Sequence, residues 1–204
     1  MATGSGTTTR AVRHLRRVDP VLAEVIRRVG PCRFEQRNNG THFEALARAI
    51  VYQQLSGSAA ATIHGRVAAA LGGITPEAVL AAADAPLRTA GLSRQKIGYM
   101  RDLAGRVGSG ELDLRRVEEL PDEAVITAVC SVKGIGRWTA HMFLMFQLGR
   151  PDVLPELDLG VRKAVQREYR MRKLPSTERL VKLGRRWAPY RSIAAWYLWR
   201  SLEG

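Results

Sequence analysis

Two glycines one residue apart, Gly134 and Gly136, lie between Lys133 and Arg137, and this is the spacing in the chain that most directly suggests chemistry. Glycine admits backbone geometry that side chains block, so a Gly-x-Gly turn leaves the amides at the start of the next helix pointing outward. With the positive helix end and two cationic side chains, those amides make a site for an anion such as a phosphate. The same glycines also suit an ordinary interhelical turn, and the pair alone does not separate the two. A second candidate is Asp158, immediately before an apolar-periodic run from Leu159 to Tyr169. A carboxylate there caps the helix, and the helix dipole favours its ionised form. Tyr52, Trp138, Trp187, Tyr190, Trp196, Tyr197 and Trp199 offer flat faces, although aromatics at helical spacing commonly fill cores.

The elements that must position these groups read as helices throughout. Val21, Leu22, Val25, Ile26 and Val29 form a helical stripe opened by Asp19-Pro20, and Phe43, Leu46, Ala47, Ile50 and Val51 repeat that period. The second stripe breaks at Ser56-Gly57-Ser58 before an alanine-rich run from Ala59 to Leu71. Thr75-Pro76, Asp84-Ala85-Pro86 and Ser93 start three more helices, the last reaching Arg106. Pro121-Asp122-Glu123 opens a helix ending near Val129; after the Gly-x-Gly turn an apolar helix is predicted from Arg137 to Leu148. A proline-bearing loop, Pro151 to Asp158, leads into Leu159–Tyr169, and two runs at 176–183 and 187–202 follow. No segment alternates with period two, so the predicted fold class is all-α, without a solenoid repeat.

Composition narrows the partners. The 204 residues allow one compact domain or two packed subdomains, and 32 Lys and Arg against 19 Asp and Glu give a net charge of +13, which favours a polyanion. A hydrophobic content of 46% with mean hydropathy −0.16 excludes a disordered basic protein and a membrane-embedded one. Cys32 and Cys130 lack the spacing of a zinc site or an iron–sulfur cluster. Residues 1–17 read as a flexible basic arm with no apolar signal segment, and the expected compartment is the cytoplasm.

Context then sharpens the turn. The string VKGIGRWTA, within a helix-hairpin-helix at 121–148, resembles that of the HhH-GPD superfamily of DNA glycosylases. FEALARAIVYQQLSGSAA (Phe43 to Ala60) resembles the family's early helix and turn, and VLPELDLGVRKAV (Val153 to Val165) its aspartate loop. RRWAPYRSIAAWYLW (Arg185 to Trp199) is similar to the closing helix of the 3-methyladenine glycosylase II branch, in a compact form without that branch's preceding α/β domain. The likeness implies a core over 18–204, with one subdomain of roughly 38–150 and a second from 18–37 plus 151–204.

By that resemblance Asp158 is the catalytic carboxylate, stabilising the cationic sugar or activating water, with Asp152 and Glu156 as fallbacks in the same loop. The family's frequent acidic pair is broken here by Leu157. Trp138 stands where strand-cutting members carry a lysine, which implies a monofunctional enzyme. Trp138, Trp199, Tyr52 and Met142 are assigned to a base pocket, and Gln53, Gln54, Leu55 and Ser56 to a turn that fills the gap left by a flipped base. Lys133, Gly134, Gly136, Arg137 and Thr139 are assigned to DNA phosphates, with Arg13, Arg16, Arg17, Arg162, Lys163, Arg170, Arg172 and Lys173 as further candidates.

No organic cofactor is expected; a structural Na+ or K+ would be held by the carbonyls of Cys130, Val132 and Ile135. The implied function is excision of alkylated purines, 3-methyladenine and 7-methylguanine, from damaged double-stranded DNA by a nucleoid-associated monomer with no membrane partner. Two alternatives remain at this stage. One is a glycosylase for deaminated or oxidised bases, and the other a non-catalytic DNA-binding module.

Overall fold

The computed structural model describes residues 5–36 and 40–203. Among them are twelve α-helices and no strand, as the absence of period-two alternation requires. The chain divides into two units, Met1–Arg37 with Leu144–Gly204, and Asn38–Phe143. Residues 144–150, expected with the hairpin subdomain, therefore belong with the terminal segments.

The first unit holds α1 (Ser5–Val18) and α2 (Pro20–Val29), and after the excursion into the second unit α10 (Leu159–Glu168), α11 (Thr177–Gly184) and α12 (Arg191–Ser201). Short 3₁₀ turns add Val117–Glu119 in the second unit and Arg185–Trp187 in the first. Helix α12 carries buried residues on every side, from Ser192 and Ile193 to Leu198 and Ser201, and packs against α1, α2 and α10. Helix α1 corrects the expectation of a flexible arm over residues 5–17. Ala11 and Leu15, one turn apart, are wholly buried, and that apolar edge docks the helix on α2 and α12. Residues 1–4 of the expected arm lie outside the described residues.

A buried carboxylate organises this unit. Asp19, 0% exposed, accepts hydrogen bonds from the amides of Val21 (3.1 Å) and Leu22 (3.2 Å), which caps α2. Its other oxygen accepts from the Tyr169 hydroxyl (2.6 Å), just past α10, and from the Trp187 indole N–H (2.8 Å). Burial and the neighbouring carboxylate push the Tyr169 phenol far above its ordinary pKa, so it remains a donor. Arg28 of α2 also pairs with Glu168 of α10 at 2.8 Å.

The second unit runs α3 (His42–Tyr52), α4 (Gly57–Leu71), α5 (Pro76–Ala81), α6 (Asp84–Thr89), α7 (Arg94–Ser109), α8 (Asp122–Cys130) and α9 (Arg137–Met142). Helix α7 is its axle, with Ile97, Met100, Leu103 and Ala104 buried against α3, α5 and α6. Start signals are explicit: Thr41 and Glu44 form a capping box on α3, and Thr75 and Ser93 cap α5 and α7. The helix expected over Arg137–Leu148 is shorter than its apolar run suggests. It is α-helical to Met142 and then widens into a π-helical turn over Phe143–Gln147.

Replacing Asp19 by Ala strands two helix-end amides, a buried hydroxyl and a buried indole N–H. The expected loss of stability is about 2–4 kcal/mol, measured by denaturant unfolding.

Candidate active site

The loop before α10 is held rigidly from behind. Asp152 accepts from the Arg191 guanidinium through both oxygens (2.8 and 2.9 Å) and from the Arg191 amide (3.1 Å). Ser192 adds bonds to the backbone of Arg150 and Val153. This bidentate engagement makes Asp152 a clamp between the loop and α12, which removes it as a fallback acid.

Asp158 stands at the N-cap of α10. Its Oδ1 accepts from the Val161 amide at 2.8 Å and from the Trp199 indole N–H, also at 2.8 Å. The bond that closes the first turn of the helix thus also fixes the carboxylate. Trp199 in turn stacks on Phe146 (centroids 6.0 Å apart, planes 28° apart), and Phe34 tilts against Phe146 at 5.7 Å. Phe34 and Phe146 escaped the sequence reading, because Phe146 lies in the π-helical turn, whose wider register a 3.6-residue period does not track. A Cβ on Gly160 would meet Asp158 Oδ1 at 3.0 Å and Trp199 Cδ1 at 3.1 Å, so the glycine makes room for the carboxylate–indole pair. Leu157 and Leu159, on either side of Asp158, are exposed.

In the second unit, the hairpin joins α8 to α9. Gly134 sits at φ +81, and a Cβ there would collide with the Tyr99 ring, so the turn needs glycine on two counts. The Lys133 amide donates to Asp102 Oδ2 (2.8 Å), and Asp102 also accepts from Arg106 (3.1 Å). Burial alone would raise the Asp102 pKa, but the Lys133 amide and the Arg106 guanidinium outweigh it and hold the carboxyl below its ordinary value. The first intrahelical bond of α9 runs from the Ala140 amide to the Gly136 carbonyl, so the amides of Arg137 to Thr139 precede the helical ladder. Arg137 donates to both oxygens of Glu123 (3.0 and 2.8 Å), an exposed pair that a competing anion displaces at little cost. The side chain of Thr139 is buried at 7% exposure, which leaves its backbone amide as the group at the start of α9.

The turn at Gln53–Ser56 is wired to the hairpin. Gln53 Nε2 donates to the Gly134 carbonyl (2.7 Å), and Lys96 Nζ donates to the carbonyls of Val51 (2.7 Å) and Gln53 (2.8 Å). Gln53 therefore faces inward, while Gln54 adopts a left-handed φ of 58 and Gln54, Leu55 and Ser56 are exposed at the tip. Ser56 precedes α4 without a side-chain capping bond. Of the expected pocket residues in this unit, Trp138 is 45% exposed and Met142 half-buried. One face of Tyr52 is covered by the Arg48 guanidinium, 4.0 Å from its centroid, and His64 meets its edge.

Residues 47–189 match the family model for HhH-GPD superfamily base excision DNA repair proteins. The chain belongs to this superfamily. DNA-3-methyladenine glycosylase 1 of Schizosaccharomyces pombe is 33% identical over 95% of the chain and 87% of its own length. The Bacillus subtilis protein YfjP is 31% identical, and the chain spans only 59% of its length. Among solved structures, a Schizosaccharomyces pombe 3-methyladenine DNA glycosylase in complex with abasic DNA aligns with TM-score 0.81 and 32% identity, covering 93% of this chain and 95% of that one. A DNA-3-methyladenine glycosidase from Bacillus halodurans aligns with TM-score 0.85 and 36% identity, covering 98% and 90%. No helix among the described residues of this HhH-GPD protein is long and apolar enough to cross a membrane.

The depressed pKa of Asp102 makes its tether to the hairpin pH-dependent. A carboxyl with a lowered folded-state pKa contributes stability above its ordinary value of 3.8 and loses that contribution as pH falls through the folded-state value. The stability gap between wild type and Asp102→Asn should be constant from about pH 5 to 7 and close below 3.8, as read by thermal unfolding across pH.

Proposed function

We propose that this HhH-GPD protein is a monofunctional DNA glycosylase that excises alkylated purines, 3-methyladenine and 7-methylguanine, from duplex DNA. The observation that carries the reading is the Asp158 carboxylate, fixed by a helix-end amide and the Trp199 indole in a chain whose relatives are named for 3-methyladenine. Departure of the purine breaks the bond between its nitrogen and C1′ of the sugar and leaves positive charge on the sugar. A fixed carboxylate facing C1′ stabilises that charge, and water then adds to C1′ and loses a proton, leaving an abasic site. An alkylated purine is itself cationic and a good leaving group, so one acid is sufficient.

Trp199, bonded to Asp158, supplies an aromatic face for the flipped base; a cationic purine is favoured there by its attraction to the ring quadrupole. The exposed Gln54 and Leu55 fill the gap in the duplex, and the hairpin amides with Lys133 and Arg137 take the phosphates. With Trp138 where a Schiff-base lysine would stand, the strand is left uncut. A Na+ or K+ would be held by the carbonyls of Cys130, Val132 and Ile135; Cys130 ends α8, where the last carbonyls lack intrahelical donors, while the Val132 carbonyl already accepts from the Ile135 amide at 3.1 Å. Such an ion would supply positive charge beside the phosphate site.

Incubation of methylated duplex DNA with the protein should release free 3-methyladenine with strands intact, read by chromatography and by denaturing gel. Binding without release of a methylated purine would contradict the proposal. Gly160→Ala, whose Cβ crowds the Asp158–Trp199 pair by a few tenths of an ångström, should lower single-turnover release by about threefold to tenfold, less than the roughly 10²-fold of a 1 Å misplacement, while leaving hairpin-dependent DNA binding in place.

A further inference from the structure

Helix α1 presents a solvent face made of arginine. Its sequence, SGTTTRAVRHLRRV, contains Arg10, Arg13, Arg16 and Arg17 and no acidic residue. At 100° per residue, Arg10, Arg13 and Arg17 fall within one outward stripe, opposite the edge at Ala11 and Leu15 that docks the helix on α2 and α12. All four arginines are exposed. The surrounding helices treat arginine differently: Arg27 pairs with Glu24, Arg28 with Glu168, and Arg200 with Glu203.

Arg13 and Arg17 at i,i+4, and Arg10 and Arg13 at i,i+3, are like-charge neighbours that weaken the helix that bears them. A face that costs stability in the free protein and has no carboxylate of its own helix beside it is arranged for a partner that brings the negative charge. The stripe from Arg10 to Arg17 is about 10 Å long, a length over which a duplex presents roughly six phosphate charges. A lipid surface fits less well, since an interfacial helix needs an apolar face to insert and that of α1 is already used against α2 and α12.

We propose that the Arg10–Arg13–Arg17 face of α1 is a second duplex-DNA contact surface, binding the phosphate backbone independently of the helix-hairpin-helix. It binds without sequence or lesion preference, holding undamaged duplex and extending the footprint beyond the damaged nucleotide. The inference shares with the functional proposal its DNA partner but not its chemistry, and undamaged DNA separates the two.

The test is the salt dependence of binding to an undamaged duplex by fluorescence anisotropy. For Arg10→Gln/Arg13→Gln/Arg17→Gln the slope of log K against log salt should fall in magnitude by about 2.7, or 0.9 per lost contact, and for Arg13→Gln alone by about 0.9. Arg27→Gln/Arg115→Gln/Arg116→Gln, with the same change in net charge at ion-paired positions, should leave the slope unchanged. Thermal stability of the α1 variant should equal or exceed that of wild type, because repulsion is relieved. An unchanged slope in a folded α1 variant overturns the proposal. So does an equal fall in the control, or loss of binding to anionic-lipid vesicles with the DNA slope intact. Failure of wild type to release a methylated base would leave this result standing and count against the glycosylase reading alone.

Discussion

One oxygen of one carboxylate ties together two helices of the first unit, and the proposed chemistry depends on it. Asp158 Oδ1 accepts the amide that closes the first turn of α10 and the indole N–H of Trp199 on α12. Two donors from two elements fix both the position and the rotamer of the side chain, with no need for the chain around it to be stiff in itself. The rest of the first unit serves that arrangement. Asp152 and Arg191 lock the preceding loop to α12, Gly160 keeps the space between the pair open, and Asp19 holds Tyr169 just beyond the far end of α10. A helix held at both ends, with its cap shared, cannot move Asp158 without breaking bonds elsewhere.

The second unit solves a different problem by the same means. The hairpin holds its amides in place without covering them, and its restraints come from behind. Asp102 takes the Lys133 amide, Tyr99 packs where a side chain on Gly134 would sit, and Gln53 takes the Gly134 carbonyl. Lys96, bound to the carbonyls of Val51 and Gln53, fixes the neighbouring turn to α7. Burial lowers the Lys96 pKa, yet the ammonium is the donor that lets α3 end where it does. Charged partners thus lie on the inner side of the turn, and Gln54 and Leu55 are left exposed.

Much of this was legible in the residues. Helical periods and start signals gave the all-α class, because proline, threonine, serine and aspartate act on the first turn through local bonds that do not depend on the fold. Motifs single out Asp158, the glycine pair and Gln53 to Ser56, but not the bonds that restrain them. What the sequence did not disclose has physical reasons. Residues 5–17 look like a tail because arginine dominates them, while a single i,i+4 pair, Ala11 and Leu15, is enough to dock them. The π-helical turn keeps the apolar composition of an α-helix and changes only its register, which hides Phe146. Asp152 and Asp158 are both loop carboxylates in the sequence, and only the side chains that reach them, Arg191 in one case and Trp199 in the other, give them different roles. Thr139 belongs to the same motif string as the glycine pair, yet its side chain is buried in α9.

The central claim is that the negative charge of Asp158, and not its capping bond, drives bond cleavage. Asp158→Asn separates the two, because an amide oxygen can still accept from the Val161 amide and the Trp199 indole while the charge is gone. Single-turnover release of 3-methyladenine from methylated duplex, measured beside affinity for an abasic duplex, decides it. The account predicts loss of release by about 10²–10³-fold or more, with thermal stability retained. Release within about threefold of wild type in the folded variant would contradict it.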